Sequence, residues 1–232
     1  MRCSVDRRAF LAGGLGLVTL AACGAGPQAP APPVSRDFRV GDAVVQIPVN
    51  PQRVVTISTF TQDAMFDLGT DPVGVYDPGE QYILAAYRQR WAAIPKVSGG
   101  SAGGALDLER IASLTPDLIL GIDAQQAPLD RLSRIAPTVL LPFTGSPTIW
   151  RELTDETADA VNRTGVLDPL AGRYTARARA IAQQHAAVLE RTRFAILQGG
   201  FEPGAFWLYG PGSSTGAVLA DAACGSRPAP PP

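Results

Sequence analysis

The chain has 232 residues, enough for one large or two small bodies at about 150 residues per domain and too long for a disulfide-stapled miniature. Apolar residues make up 46% and charged residues 18%, which excludes disorder of the whole chain. Twenty basic against 21 acidic residues leave no cationic surplus and argue against a nucleic-acid partner. One histidine, His185, and three cysteines, Cys3, Cys23 and Cys224, are too few for a His/Cys metal centre, so any metal chemistry belongs to a ligand.

Residues 1–22 read as an export signal. Arg7 and Arg8 precede Phe10-Leu11 and a glycine-diluted apolar run, the pattern of a twin-arginine signal. The run from Phe10 to Ala22 falls short of the ~20 residues of a membrane-spanning helix. Leu20-Ala21-Ala22-Cys23 resembles a lipobox, which makes Cys23 the lipidated mature N-terminus. Removing residues 1–22 takes away Arg2, Arg7, Arg8 and Asp6 and leaves 17 basic against 20 acidic residues. Residues 23–36, rich in Pro, Ala and Gly, read as an extended tether. With Cys3 removed and Cys23 lipidated, Cys224 has no partner, and no disulfide is expected.

Residues 37–149 read as an α/β lobe. Phe38 to Ile47 alternates around Gly41-Asp42, a hairpin pattern. Arg53-Val54-Val55-Thr56-Ile57 is a buried-strand block. Asp63 to Leu68 reads as a helix stopped by Gly69, Pro72 to Tyr76 as a strand and Glu80 to Trp91 as a helix. A short helix from Asp107 to Leu114 leads into strand Leu118-Ile119-Leu120. Another helix, Leu129 to Ile135, leads into strand Thr138 to Leu141. Strands alternating with helices at this spacing imply a parallel layer.

Residues 150–192 read as linking helices: one from Trp150 to Asn162, then a long one from Asp168-Pro169 to about Arg191, roughly 34 Å at 1.5 Å per residue. Residues 193–232 give two strands, Phe194 to Leu197 and Phe206 to Tyr209, one helix from Gly216 to Ala223, and a Pro-rich tail. Two strands and a helix are too little for an independent core, so this second lobe is expected to be incomplete, loosely held after Arg193 and weak in binding.

The order of these elements resembles the helical-backbone solute-binding proteins of ABC importers, the class that takes iron-siderophores, haem and cobalamin. Pro51-Gln52-Arg53-Val54-Val55, Leu68-Gly69 with Pro72-Val73-Gly74-Val75, the stretch Leu108 to Ile119, the stretch Leu132 to Thr138 and the single long helix carry the resemblance. It implies two α/β lobes joined by one long helix, with ligand in the cleft between them. It further implies that Glu109, on a short surface helix, docks onto an arginine pocket of the permease.

Ligands of open α/β sheets sit beyond the carboxyl ends of the strands, which makes Phe60, Tyr76, Tyr82 and Trp150 candidate cleft residues of the first lobe. Phe201, Trp207 and Tyr209 are the candidates of the second; core packing is the alternative for each. Gly212-Ser213-Ser214-Thr215-Gly216 matches a nucleophile elbow, but no histidine follows it, so the triad order fails. Gly99 to Gly104 lacks the Lys-Ser/Thr of a phosphate loop. The expected function is capture of a ferric siderophore or related iron chelate and its delivery to an ABC permease, without catalysis, by a protein held at the membrane through Cys23. Haem or cobalamin binding, a lipoprotein hydrolase and an inactive truncated remnant are the alternatives.

Overall fold

The computed structural model describes residues 34–99, 104–199 and 204–223. The expected export signal with Arg7 and Arg8, the expected tether from Cys23 up to residue 33, Phe201, most of the Gly99–Gly104 loop and the Pro-rich tail lie outside the described residues. The tether expected to run to Arg36 ends earlier, because Ser35 and Arg36 already pair in a strand.

Strand β1 (Ser35–Val40) turns through Gly41 and Asp42 into β2 (Ala43–Pro48), with Val40 opposite Ala43. Gly41 has φ 54°, the left-handed conformation that a two-residue hairpin turn needs and glycine adopts without strain. Phe38 and Ile47 point inward, 4% and 0% exposed.

Three parallel strands follow: β3 (Val54–Thr56), β4 (Leu118–Ile122) and β5 (Thr138–Leu141), in that spatial order. Every residue of β4 is buried. Leu118, Leu120 and Ile122 join Phe38, Ile47, Met65 and Leu153 on one face. Ile119 joins Val55, Ile57, Ile111 and Leu132 on the other. Coverage of both faces is why these strands read as unbroken apolar runs instead of alternating ones. Gly121 sits where a Cβ would lie 2.6 Å from Ile57 Cγ1.

Two segments of the family resemblance meet at the entrance to β3. The Asp117 carboxylate accepts the backbone N–H groups of Gln52 (2.7 Å) and Arg53 (2.9 Å). The Arg53 guanidinium in turn donates to the carbonyls of Leu114 (2.6 Å) and Thr115 (3.0 Å). Gln52-Arg53 and the stretch Leu114 to Asp117 are therefore two halves of one clamp at the start of the β3–β4 pairing.

Helix α1 (Thr59–Asp67) starts four residues before the expected Asp63, because Ser58 Oγ accepts the Phe60 N–H at 3.2 Å and caps the helix. It ends at Gly69, φ 74°. The strand expected at Pro72 to Tyr76 is reduced to single bridges, Gly74 to Val55 and Val75 to Lys96, since Val73 and Gly74 bond β3 while Val75 already exchanges bonds with Pro95 and Val97, so no partner is kept for a full ladder. The helix expected from Glu80 to Trp91 is broken into a 3₁₀ turn, Glu80–Tyr82, and α2 (Arg88–Ala93). Ile83 takes an extended conformation between them and is 4% exposed among Phe66, Val75 and Trp91, so its burial overrides helix continuity. Helices α3 (Leu108–Ser113) and α4 (Leu129–Leu132) lead into β4 and β5.

Helix α5 (Ile149–Ala160) packs against α1. Helix α6 (Leu167–Gln184) is the long one. Its 18 residues span about 27 Å, less than the 34 Å expected, because the chain leaves helical geometry at His185 (φ −113°) before α7 (Ala186–Leu189). Strands β6 (Ile196–Gly199) and β7 (Phe206–Tyr209) pair antiparallel, and α8 (Ser214–Ala223) packs on α6. The architecture is a mixed α/β one with a single long helix.

In the β6–β7 ladder, Leu197 faces Leu208 and Gly199 faces Phe206, so one side carries Leu197, Phe206 and Leu208. These are 61%, 66% and 66% exposed. The turn before α8 has a structural explanation of its own. A Cβ at Gly216 would lie 2.0 Å from the Gly210 carbonyl oxygen, and Ser213 Oγ donates to that oxygen at 2.7 Å. The glycine and serine pattern satisfies a close backbone turn.

Candidate ligand-binding site

The carboxyl ends of β3, β4 and β5 lie along one edge of the sheet because the strands are parallel. Phe60 follows β3 and Phe143 follows β5; their rings pack at 5.1 Å, tilted by 53°. Between them, the Asp123 carboxylate after β4 accepts the Phe143 N–H at 2.9 Å. Phe60 remains 40% exposed, so the edge presents an aromatic face held by the strand ends.

The other candidates are placed unevenly. Tyr82 is 64% exposed in its 3₁₀ turn, whereas Tyr76 is buried, with its carbonyl accepting the Trp91 indole N–H at 3.2 Å. Trp207 is exposed. Tyr209 stands at the Ile196 end of the hairpin and donates its hydroxyl to Gln198 at 2.6 Å. Glu109 is exposed in the first turn of α3. Asp107 caps that helix by accepting the Arg110 N–H at 2.8 Å, which frees Glu109 from capping duty.

The loop from β5 to α5 is tied to Glu152. This carboxylate accepts hydroxyls from Ser146 (2.5 Å), Thr148 (2.8 Å) and Thr144 (3.2 Å). Those bonds, Ser146 first, hold its pKa below the usual glutamate value. The loop therefore enters α5, where Trp150 sits, in a defined position.

Trp150 belongs to a cluster. Its ring lies 5.0 Å from that of Tyr174 on α6, and the Arg151 guanidinium lies 4.7 Å from the Trp150 ring and 4.6 Å from the Tyr174 ring. Asp221 on α8 accepts from Arg151 Nη2 at 3.1 Å and from the Tyr174 hydroxyl at 2.8 Å. Burial, with Asp221 accepting its proton, pushes the Tyr174 phenol above its usual pKa. Phe143, Arg151, Glu152 and Tyr174 are absent from the sequence-derived candidates. Phe143 follows the same strand-end rule that selects Phe60. Tyr174 shows only as part of an apolar helical stripe.

A buried polar pair lies on α1, two and three residues after Phe60. The Gln62 side chain is 0% exposed, and its two polar atoms and Asp63 Oδ1 have no hydrogen-bond partner among the described residues. Burial raises the Asp63 pKa to about 6; the neighbouring Gln62 opposes the shift and Asp67 adds to it.

A parallel α/β lobe with an aromatic carboxyl edge, continued by a long helix into a second set of strands, is the architecture of a solute-binding protein. Residues 54–226 match the periplasmic binding protein family, and the chain belongs to it. It is similar to the probable siderophore-binding lipoprotein YfiY of Bacillus subtilis, 31% identical over 123 residues that make up 50% of this chain and 35% of that one. The iron(3+)-hydroxamate-binding protein FhuD of the same organism is 26% identical over 106 residues, 46% of this chain and 31% of that one. The matched part thus spans about a third of these curated relatives. Among solved structures, the siderophore periplasmic binding protein from the fuscachelin gene cluster of Thermobifida fusca is 28% identical, with a TM-score of 0.60 over 76% of this chain and 64% of that chain. Staphylococcus aureus SirA, solved with staphyloferrin B, shares the fold: TM-score 0.65 at 23% identity, over 81% of this chain and 63% of that chain.

Proposed function

We propose that the protein is the substrate-binding component of an ABC importer, capturing a ferric siderophore or related iron chelate and delivering it to a permease without catalysis of its own. The exposed aromatic edge built by Phe60 and Phe143, in a chain of the periplasmic binding protein family, carries this reading. A ferric chelate presents a broad, partly apolar surface, which aromatic faces at strand ends match. The relatives named for siderophores support the ligand class.

The proposed organisation is an export signal at 1–22 addressed by Arg7 and Arg8, lipidated Cys23 and a tether from 23 to the start of β1 at Ser35, a first lobe from there to 149, linking helices at 150–192 and the second-lobe segment at 193–232. The lipid on Cys23 places the protein on the extracytoplasmic face of the cell membrane. Phe60, Tyr76, Tyr82, Trp150 and Tyr209 remain the proposed cleft residues, and Glu109 the proposed permease contact.

Titration of the protein with ferric siderophores, haem and cobalamin, followed through Trp91, Trp150 and Trp207, tests the ligand class. Saturable quenching by a ferric chelate is expected; a response to haem or cobalamin alone would overturn it. In the same assay Glu109→Ala should bind within about twofold of the wild type, since a distant rim charge rarely alters a site, while transport in cells falls. Loss of chelate binding would instead place Glu109 in the site. Fatty-acid labelling that marks Cys23→Ala as strongly as the wild type would remove the anchor.

A further inference from the structure

The second set of strands is joined to the first lobe through very few polar contacts. Among the described residues, the hydrogen bonds from Arg193 on stay within that segment, with two exceptions, and both end on Asp221: Arg151 Nη2 at 3.1 Å and the Tyr174 hydroxyl at 2.8 Å. Arg151 belongs to α5, the linking helix that packs against α1 of the first lobe, Tyr174 to the long helix α6 and Asp221 to α8. One carboxylate therefore ties α8 to both linking helices, one of which rests on the first lobe.

An ion pair as exposed as this one, with side chains 44% and 47% accessible, contributes little by itself. Three features make this one different. The guanidinium is flanked by two aromatic faces, at 4.7 and 4.6 Å, which restrict it and add cation–π attraction. The carboxylate is shared with a phenol, a charge-assisted bond stronger than a neutral one. The Trp150 and Tyr174 rings pack against each other at 5.0 Å, so the guanidinium and both rings are held as one cluster beside Asp221. Asp155 also lies near Arg151 and favours its charge, but it stands on the same helix and links nothing across the junction.

We infer that Asp221 and Arg151 are positioning residues for ligand capture: with Tyr174 they form the fastener that sets α8 and the β6–β7 strands against the aromatic edge of the first lobe. The inference rests on the proposed function, in which the ligand is held between the two. Its physical basis is preorganisation, since a site assembled from two bodies loses affinity by the fraction of time they are misplaced. Trp150 is then both a wall of the site and a member of the fastener.

A double-mutant cycle tests this. Arg151→Gln, Asp221→Asn and the double variant are compared with the wild-type chain by hydrogen exchange over residues 206–222, with residues 118–141 as internal reference. Each single variant should speed exchange in α8 by about fivefold and leave the reference unchanged. The double variant should match the single variants to within about twofold, because both substitutions break the same contact. Singles that match the wild type, or a double variant in which the two effects multiply, would overturn the fastener.

The coupling to capture is read by titration with a ferric trihydroxamate, a ferric tris-catecholate and ferric citrate. Whichever chelate the wild type binds should be held less tightly by each single variant, by a similar factor, and by the double variant no more weakly than by the singles. Unchanged affinity alongside faster exchange would overturn the positioning role. A wild type that binds none of the three would count against the siderophore reading and against the coupling, while the exchange data alone would still decide whether the fastener exists.

Discussion

Leu120→Ala is expected to lower the unfolding free energy by about 3–4 kcal/mol, and Leu208→Ala to change it by less than about 0.5 kcal/mol. Both residues are leucines in strands, so chemistry and local conformation are matched and only surroundings differ. Leu120 lies in the central strand β4 and is 0% exposed, with Met65, Val139 and Leu153 in the same cluster. Removing three carbons there forfeits their transfer energy and leaves a cavity that the covered sheet cannot close. Leu208 in β7 is 66% exposed, so truncation removes little buried area. Urea titrations with matched slopes would measure both. A cost at Leu208 comparable to that at Leu120 would show that the outer face of the β6–β7 hairpin is covered in solution.

The parallel layer was legible because its strands are short, apolar and flanked by turn residues, a pattern that full burial makes distinctive. Pro72 to Tyr76 and Glu80 to Trp91 were read less well for one shared reason. Local composition there favours a strand and a helix, but Ile83 is drawn into the cluster of Phe66, Val75 and Trp91, and Gly74 makes room for Leu114, whose Cδ1 would lie 2.5 Å from a Cβ there. Both are tertiary demands with no signature at nearest-neighbour range. The start of α1 was missed by four residues because Ser58 follows directly on a strand, where a capping serine is easily taken for a turn.

The site was legible where it follows from topology and opaque where it depends on convergence. Phe60 is found by its place after β3. Arg151, Tyr174 and Asp221 come from three separated segments, and an arginine in helical text reads as a solvated charge. Trp150 was selected as a cleft aromatic, but its stacking on Tyr174 could not be read without knowing how α5 crosses α6. Glu152 likewise passes for an ordinary helix acid until the hydroxyls of residues 144, 146 and 148 are seen to fold back onto it.

Asp63→Asn is expected to stabilise the protein at neutral pH and to flatten its stability profile between about pH 4 and 6.5. The Asp63 carboxyl titrates near 6 in the folded chain against an ordinary 3.8, chiefly because burial penalises the charged form. Its Oδ1 has no hydrogen-bond partner among the described residues, and the Asp67 charge adds repulsion, while Gln62 offsets only part of this. Between the two pKa values the folded chain binds more protons than the unfolded one. Stability contributed by the protonated group is thus fully present below about pH 4 and lost as pH rises through 6. At 1.36 kcal/mol per pKa unit the full difference would be about 3 kcal/mol. The carboxyl keeps partial access to solvent, so screening reduces the expected cost at pH 7.5 to about 1–2 kcal/mol. Asparagine keeps the shape and removes the charge. Urea midpoints of wild type and variant should coincide near pH 4 and diverge above it, with the variant the more stable; curves that stay parallel from pH 4 to 8 would show that Asp63 ionises in the folded chain as freely as in the unfolded one.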